Sequence, residues 1–181
     1  EALNKPEVRQ ALALAINKKN VVEKVALGGQ IPAWSYVPMG IKDDKGNNFA
    51  EFKKFLEKDE GDVTKAKELL ATAGYPDGKG FPTITLKYNN NTGHQNIAVA
   101  IQAMWKQNLN IDVQLANEEW AVFQTSRING DYEIARHGWI ADYNDPMTFL
   151  DMWLSGTGSG VWGNNDAHYN NPAYDKLVND A

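Results

Sequence analysis

Hydrophobic residues recur along this chain first with helical spacing and then with the spacing of strands. Near the N-terminus, Val8, Leu12, Ala15 and Ile16 form one apolar stripe, which predicts a helix. A second helix is expected after Asn17, which is a favourable N-terminal capping residue. The clearest helical pattern runs from Val63 to Ala73, preceded by the capping residue Asp62 and followed by Gly74.

The middle of the chain predicts a βαβ unit. Residues 83–88 alternate with a period of two, a helix is expected from about Gln95 to Asn108, and residues 111–115 alternate again. A strand, a helix and a strand of these lengths require a parallel, right-handed crossover.

A further helix is expected from about Glu118 to Ile128, ended by Gly130, and it leads to a β-type run at 132–137. We therefore predict an α/β fold. Its sheet is mixed but largely parallel, with about three or four strands flanked by helices.

The remaining segments carry weaker patterns. Residues 49–56 predict a short amphipathic segment, because their phenylalanines fall near helical spacing among lysines and glutamates. The glycine-rich stretch 155–160 is interpreted as a mobile surface loop, since no Walker lysine follows it. Asn171 and Pro172 then open a last helix.

Composition narrows the function. The chain has 181 residues and a formal net charge of -5, with no basic stripe, which argues against nucleic acid and leans mildly toward a cationic partner. It has no cysteine, so disulfides and thiolate metal sites are excluded. The three histidines, His94, His137 and His168, match no metal-ligand spacing, and we predict no metal and no cofactor. No run is long and apolar enough to span a membrane.

Both ends suggest a piece of a longer protein. The chain begins at Glu1 without an initiator methionine and stops at Ala181 within a helical pattern. We expect residues 1–181 to form a single lobe that folds as one unit.

The candidate chemistry lies in the stretch Gly138–Pro146. It follows a predicted strand and precedes a short apolar helix, and such junctions in α/β domains face the crevice where ligands bind. Residues 144–146 are explained by a polar turn that caps the next helix. Trp139 and Asp142 are not needed for a turn, and they offer a flat apolar surface and an acceptor for a cation.

Carboxylates near tryptophans also suggest an enzyme, since glycosidases use two carboxylates that flank a sugar bond. The pair Glu118–Glu119 fits the first turn of a helix, where negative charge is favourable, and Asp145 belongs to the turn. Asp142 is left without a catalytic partner, so we predict that the protein is not an enzyme. The alternative that stays open is a carbohydrate-binding or glycoside-hydrolase-like domain that uses tryptophan platforms.

Four separated motifs resemble one known family. They are PEVRQALALAIN at 6–17, AKELLATAGY at 66–75, RHGWIADYNDP at 136–146 and NPAYD at 171–175. Together they resemble the family 5 extracellular solute-binding proteins, the oligopeptide and dipeptide receptors of bacterial ABC importers. The resemblance spans nearly the whole chain and keeps the order of the motifs.

The resemblance implies a ligand site. It implies that Asp142 pairs with the N-terminal ammonium of a peptide, that Trp139 lines a side-chain pocket and that Arg136 borders this pocket. Tyr143 and His137 complete the predicted ligand-binding set, although His137 stands where the family varies. The same fold also carries nickel and heme binders, and the carboxylate of Asp142 favours a peptide over these.

The resemblance also implies an assembly. It implies that residues 1–181 have the fold of a periplasmic-binding-protein lobe, and that this is the lobe inserted between the two hinge crossings of a longer, two-lobed receptor. The implied partners are an oligopeptide and, through the full-length receptor, the membrane subunits of an ABC importer. We expect a monomer, lipid-anchored on the extracellular face of the cell membrane or located in the periplasm.

Overall fold

The computed structural model describes residues 1–156 and 163–181, so most of the glycine-rich stretch predicted to be a mobile loop lies outside the described residues. The described residues form seven α-helices: α1 (Pro6–Leu14), α2 (Lys18–Asn20), α3 (Val63–Thr72), α4 (Thr92–Leu109), α5 (Trp120–Asn129), α6 (Met147–Leu150) and α7 (Pro172–Asp180). They also form three strands: β1 (Ile84–Asn89), β2 (Val113–Glu118) and β3 (Ile134–Ala135). A π-helical turn at Val21–Ala26 continues α2, and 3₁₀ turns lie at Ala2–Asn4, Phe49–Glu51, Pro76–Gly78 and Asp151–Trp153.

The three strands form one parallel sheet in the order β2-β1-β3. β1 pairs with β2 over its full length, from Ile84 opposite Val113 to Asn89 opposite Glu118. β3 pairs with β1 only through Ile134 and Ala135. The predicted α/β class and the parallel βαβ unit are confirmed.

Helices α4 and α5 lie on opposite faces of this sheet. The chain moves from β1 to β2 through α4 and returns across β1 to β3 through α5. Two right-handed crossovers that run in opposite directions place their helices on opposite faces. We call the face against α4 the core face and the other the α5 face.

The core face carries the main hydrophobic core. Ile84, Leu86 and Tyr88 alternate with more exposed residues along β1 and are buried against α1, α3 and α4. Trp105 of α4 donates a hydrogen bond from its Nε1 to the carbonyl oxygen of Leu12, at 2.8 Å. The buried polar atom is therefore satisfied, and burial of the surrounding apolar surface stabilises the fold.

The predicted helix caps are largely confirmed. Asp62 accepts a hydrogen bond from the Lys65 amide at 3.0 Å, and Asn17 accepts one from the Asn20 amide at 2.7 Å. Asn171 accepts from two amides at the start of α7. Gly130 follows α5 with a φ of 75°, a left-handed conformation that glycine adopts without strain.

Three local predictions are wrong. Glu118 ends β2 instead of opening a helix, because its carboxylate pairs with Lys87 at 2.7 Å. β3 is shorter than the predicted run 132–137. The Thr85 amide, on the edge of β1 that faces β3, donates its hydrogen bond to the Glu133 side chain at 2.8 Å and so is not available for pairing with the backbone of β3. Residues 49–56 form only a 3₁₀ turn, and Phe52 is 86% exposed.

Candidate functional site

The carboxyl ends of the three parallel strands meet at one edge of the sheet, as they do in other α/β proteins whose ligands bind there. Three connections leave this edge, after Asn89, after Glu118 and after Ala135. The longest is residues 136–146, which we call the β3 loop. All five residues predicted from the sequence to bind ligand lie on it: Arg136, His137, Trp139, Asp142 and Tyr143.

Hydrogen bonds to the start of α6 fix the far end of the β3 loop. The Asp142 amide donates to Oγ1 of Thr148, a buried residue, at 3.0 Å. Asp145 Oδ1 accepts from the Met147 amide at 2.8 Å, so its predicted role in capping the next helix is confirmed. The two carboxylates therefore differ. The Asp145 carboxylate accepts a backbone hydrogen bond, whereas the exposed carboxylate of Asp142 makes no hydrogen bond or ion pair with residues 1–156 or 163–181.

Aromatic side chains flank Asp142. Trp139 is half-buried, and its Nε1 is buried without a hydrogen-bond partner in the described part of the chain. Tyr143 is 49% exposed, and desolvation followed by the charges of Asp151, Asp145 and Asp142 raises its pKa. This end of the loop thus combines flat apolar surface with negative charge, which suits a cation carried by an apolar ligand.

The near end of the loop is cationic. The Arg136 amide donates to the Lys87 carbonyl oxygen at 2.8 Å, which continues the pairing of β3 with β1 for one residue. Burial lowers the pKa of the Arg136 guanidinium, and none of the described carboxylates lies within ion-pair distance of it. The arrangement therefore leaves this half-buried cation available to pair with an anionic group.

Two histidines lie close enough to Arg136 to sense its charge. The Nδ1 atom of His94 is 2.9 Å from Oδ1 of Asn89, and burial and then the Arg136 charge lower the pKa of His94. For His137, burial and then the charges of Arg127 and Arg136 lower the pKa, whereas Asp166 opposes the shift. Both imidazoles are therefore neutral near pH 7, and Arg136 remains a fixed cation.

Sequence reasoning missed two ion pairs, one at the end of β2 and one on α5. Lys87 pairs with Glu118 at 2.7 Å, and Arg127 pairs with Asp166 at 2.5 Å. The strand alternation contained a signal for Lys87, which occupies a position between core residues of β1. No sequence signal identified Asp166, because its contact with Arg127 of α5 depends on the tertiary fold and not on a local pattern.

The described residues offer little for metal chemistry or membrane insertion. They contain no group of three histidine, aspartate or glutamate side chains arranged to hold a metal ion. None of the helices in this part of the chain is long and apolar enough to cross a membrane. The β3 loop carries an exposed acid, aromatic surface and a cation that has no ion-pair partner among residues 1–156 and 163–181. These groups are suited to binding a solute that carries both charges.

The fold is an α/β domain whose candidate site lies at the carboxyl edge of a parallel sheet, an arrangement typical of ligand-binding α/β proteins. The family model for bacterial extracellular solute-binding proteins, family 5 (middle region), matches residues 1–161. The chain belongs to this family of solute-binding proteins.

Known relatives agree in sequence and in structure. The chain is 40% identical over 177 residues to the periplasmic oligopeptide-binding protein OppA of Salmonella typhimurium, covering 98% of this chain and 31% of the relative. It superposes on the oligopeptide-binding protein OppAIV of Borrelia burgdorferi with a TM-score of 0.79 and 39% identity, covering 98% of this chain and 33% of the other. Haemophilus influenzae OppA in complex with the peptide RPPGFSPFR gives a TM-score of 0.78 at 33% identity, with coverages of 98% and 33%.

The chain thus spans about a third of the length of these relatives. They are periplasmic or extracellular binding proteins, not enzymes, which agrees with the prediction of a non-enzymatic receptor. The comparisons support the peptide-receptor family and do not support the carbohydrate alternative.

Proposed function

We propose that residues 1–181 form one lobe of a two-lobed oligopeptide receptor that delivers peptides to the membrane subunits of an ABC importer. The lobe contributes one wall of the peptide cleft, and the receptor is a monomer in the periplasm or lipid-anchored outside the membrane. The relatives support this proposal because they bind oligopeptides and are about three times as long as this chain.

The observation that carries the proposal is the division of charge along the β3 loop. The exposed carboxylate of Asp142 and the guanidinium of Arg136, which has no ion-pair partner in the described part of the chain, stand at opposite ends of a short segment at the strand ends. A peptide carries an ammonium and a carboxylate at its own ends, and the strongest contacts available to every peptide are charge-assisted hydrogen bonds to these groups.

Each predicted site residue then has a role. Asp142 binds the peptide's N-terminal ammonium, and Arg136 binds an anionic group of the ligand. Trp139 and Tyr143 line a pocket for a ligand side chain between Asp142 and Arg136. His137 borders this pocket as a neutral hydrogen-bonding group. Closure of the second lobe removes water from Asp142, which then requires a positive charge beside it.

The test compares free and N-acetylated forms of one peptide in the two-lobed receptor that contains these residues. Acetylation removes the ammonium and leaves Asp142 buried without a partner, a change that typically costs about 2–5 kcal/mol. Calorimetry should therefore show at least about thirtyfold weaker binding of the acetylated peptide. Asp142→Asn should weaken the free peptide strongly and reduce the penalty for acetylation.

Asp145→Asn is the matched control, because it removes the same charge from the same loop at a carboxylate that caps α6. It should leave the ratio between the two peptides unchanged. Equal affinity of the unmutated receptor for free and acetylated peptides would exclude Asp142 from this role.

The isolated 181-residue chain gives a second test of the shared cleft. One wall buries too little of a peptide to offset the freedom that the peptide loses on binding. We expect no calorimetric signal from the chain alone under conditions in which the two-lobed receptor binds. Tight binding by the chain alone would show that the second lobe is not part of the site.

A further inference from the structure

The acid of the β3 loop lies on a segment that makes few hydrogen bonds of its own. Residues 137–144 form no helix and no strand. Within the described part of the chain, one backbone amide of this segment donates a hydrogen bond, and it is the amide of Asp142. Its acceptor is Oγ1 of Thr148, at 3.0 Å. The segment is therefore held at the residue whose side chain is proposed to bind the ligand.

Thr148 is a fixed point of the lobe. It lies in α6 and is 1% exposed. Its amide donates to the carbonyl oxygen of Asp145 at 3.3 Å, and the next residue, Phe149, is buried as well. At the other end of α6, the carbonyl oxygen of Leu150 accepts from the Tyr174 hydroxyl at 2.6 Å. Thr148 thus belongs to the packed part of the lobe and not to the loop.

Packing alone does not require a hydroxyl at this position. Valine has nearly the same shape as threonine, and a buried hydroxyl costs free energy unless it makes a hydrogen bond. The bond that the Thr148 hydroxyl oxygen accepts comes from the amide of Asp142. The hydroxyl therefore connects the packed interior to the β3 loop at the proposed ligand-binding acid.

This bond holds the backbone of Asp142 and leaves its carboxylate free. Asp145, three residues further on, is held in the opposite way, because its carboxylate accepts from the Met147 amide at 2.8 Å. The carboxylate of Asp142 makes no hydrogen bond or ion pair with residues 1–156 or 163–181. Of these two acids, Asp142 is the one that is fixed in place while its charge stays available.

We propose that Thr148 is a positioning residue for Asp142 and thereby strengthens the preference for a free peptide amine. The inference rests on the proposed function and concerns how that site holds its acid. Ordering a backbone segment costs conformational entropy, and a segment that is ordered before binding spares the ligand this cost. Without the Thr148 hydroxyl, the ligand's ammonium has to order the segment itself when it pairs with Asp142.

The experiment measures the affinities of one peptide, in its free and N-acetylated forms, for the two-lobed receptor. Thr148→Val removes the hydroxyl and keeps the shape of the side chain. It should weaken the free peptide by about fivefold, the size of one net hydrogen bond, and change the acetylated peptide by less than about twofold. Thr148→Ser keeps the hydroxyl and should retain the ratio of the unmutated receptor. Equal losses for both peptides in Thr148→Val would show a general structural effect and would overturn the inference.

Thr72→Val is the matched control. It makes the same chemical change at a threonine of α3, whose hydroxyl donates to the carbonyl oxygen of Glu68 at 2.9 Å. Because none of the hydrogen bonds of Thr72 reaches the β3 loop, both peptide affinities should stay unchanged. A fivefold loss for the free peptide in this variant would mean that the effect is not particular to Thr148, and would overturn the inference.

A double-mutant cycle tests whether Thr148 acts through Asp142. In the Asp142→Asn receptor the charge that pairs with the ammonium is absent, so adding Thr148→Val should change the affinity for the free peptide by less than about twofold. The same fivefold loss in both backgrounds would show that Thr148 acts on the ligand by another route, and would overturn the inference.

Hydrogen exchange in the receptor without peptide separates this inference from the proposed function. The Asp142 amide should be protected in the unmutated receptor and in Thr148→Ser, and should exchange at least about fivefold faster in Thr148→Val. Unchanged exchange in Thr148→Val overturns the inference and leaves the proposed function standing. Equal affinity of the unmutated receptor for the free and acetylated peptides overturns the proposed role of Asp142, and this inference with it, whatever the exchange rates.

Discussion

The two faces of the sheet are built from alternate residues of the same strands but serve different ends. On the core face, Ile84, Leu86 and Tyr88 meet helices that bring only apolar surface and satisfied polar atoms. On the α5 face, the intervening positions of β1 and β2 include Lys87 and Glu118, which form an ion pair near the strand ends. The difference teaches that the pleat of a single strand separates apolar packing from charge pairing, one residue at a time.

This division gives the two faces different roles in the fold. Apolar packing on the core face fixes the strands, and the fixed strands then hold charged groups on the α5 face in defined positions. Charged pairs in this environment add little net stability, because desolvation offsets much of their attraction. We therefore expect mutations on the two faces to differ in the size and in the pH dependence of their effects.

The largest effect on stability is expected on the core side. Leu70 of α3 is 1% exposed within the main core, so Leu70→Ala removes buried methyl groups and leaves a cavity. We expect a loss of about 2–5 kcal/mol in the free energy of unfolding, measured by urea denaturation of the 181-residue chain. Leu177→Ala is the control, because Leu177 on α7 is 71% exposed and should change stability by less than about 0.5 kcal/mol. Equal losses in the two variants would contradict the assignment of the core.

A smaller, pH-dependent effect is expected on the α5 face. The hydrogen bond from Lys87 holds the pKa of Glu118 below its usual value, so Glu118 stabilises the fold above its unfolded pKa and loses this contribution as the pH falls through the lowered folded pKa. Glu118→Gln should cost about 1–3 kcal/mol near pH 7. The difference from the unmutated chain should shrink as urea titrations are repeated down to about pH 3.

The control for this prediction is Glu68→Gln. Glu68 pairs with Lys65 on the surface of α3, where both side chains are more than half exposed and water screens the pair. We expect a change of less than about 1 kcal/mol at all pH values. A difference between Glu118→Gln and the unmutated chain that persisted at acid pH would show that Glu118 contributes packing and not charge.

The core face could be predicted from sequence because its signals are local. The alternation at 83–88 identified β1, and the apolar spacing from Val63 to Ala73 identified α3 together with its cap Asp62. These patterns reflect interactions between a residue and its own helix or strand. The bounds shifted by a few residues, and Glu118 moved from a helix to a strand end because its partner Lys87 is 31 positions away.

The candidate site could be predicted only in part. The composition of residues 136–146 marked a ligand loop, and the resemblance to a family assigned roles to Asp142 and Trp139. The Arg127–Asp166 ion pair was missed, because it joins segments separated by 39 positions. Tertiary contacts of this kind leave no periodic trace in a single sequence.

The smallest expected effect extends the comparison to α7, which has no fully buried residue. The Tyr174 hydroxyl donates to the Leu150 carbonyl oxygen at 2.6 Å, and burial, aided by nearby Tyr169 and the acids Asp151 and Asp175, raises the pKa of Tyr174 to about 12. Tyr174→Phe should cost about 1 kcal/mol near pH 7 through loss of this hydrogen bond. Above pH 10 the unfolded chain releases the Tyr174 proton while the folded chain retains it, so the difference between the two proteins should vanish as the pH rises toward 12. Asn171→Ala removes the cap of the same helix without a titrating group and should lower stability by about 1 kcal/mol with no such alkaline change. If urea titrations from pH 7 to 11 gave parallel curves for the unmutated chain and Tyr174→Phe, the hydroxyl would not be the group that anchors α7.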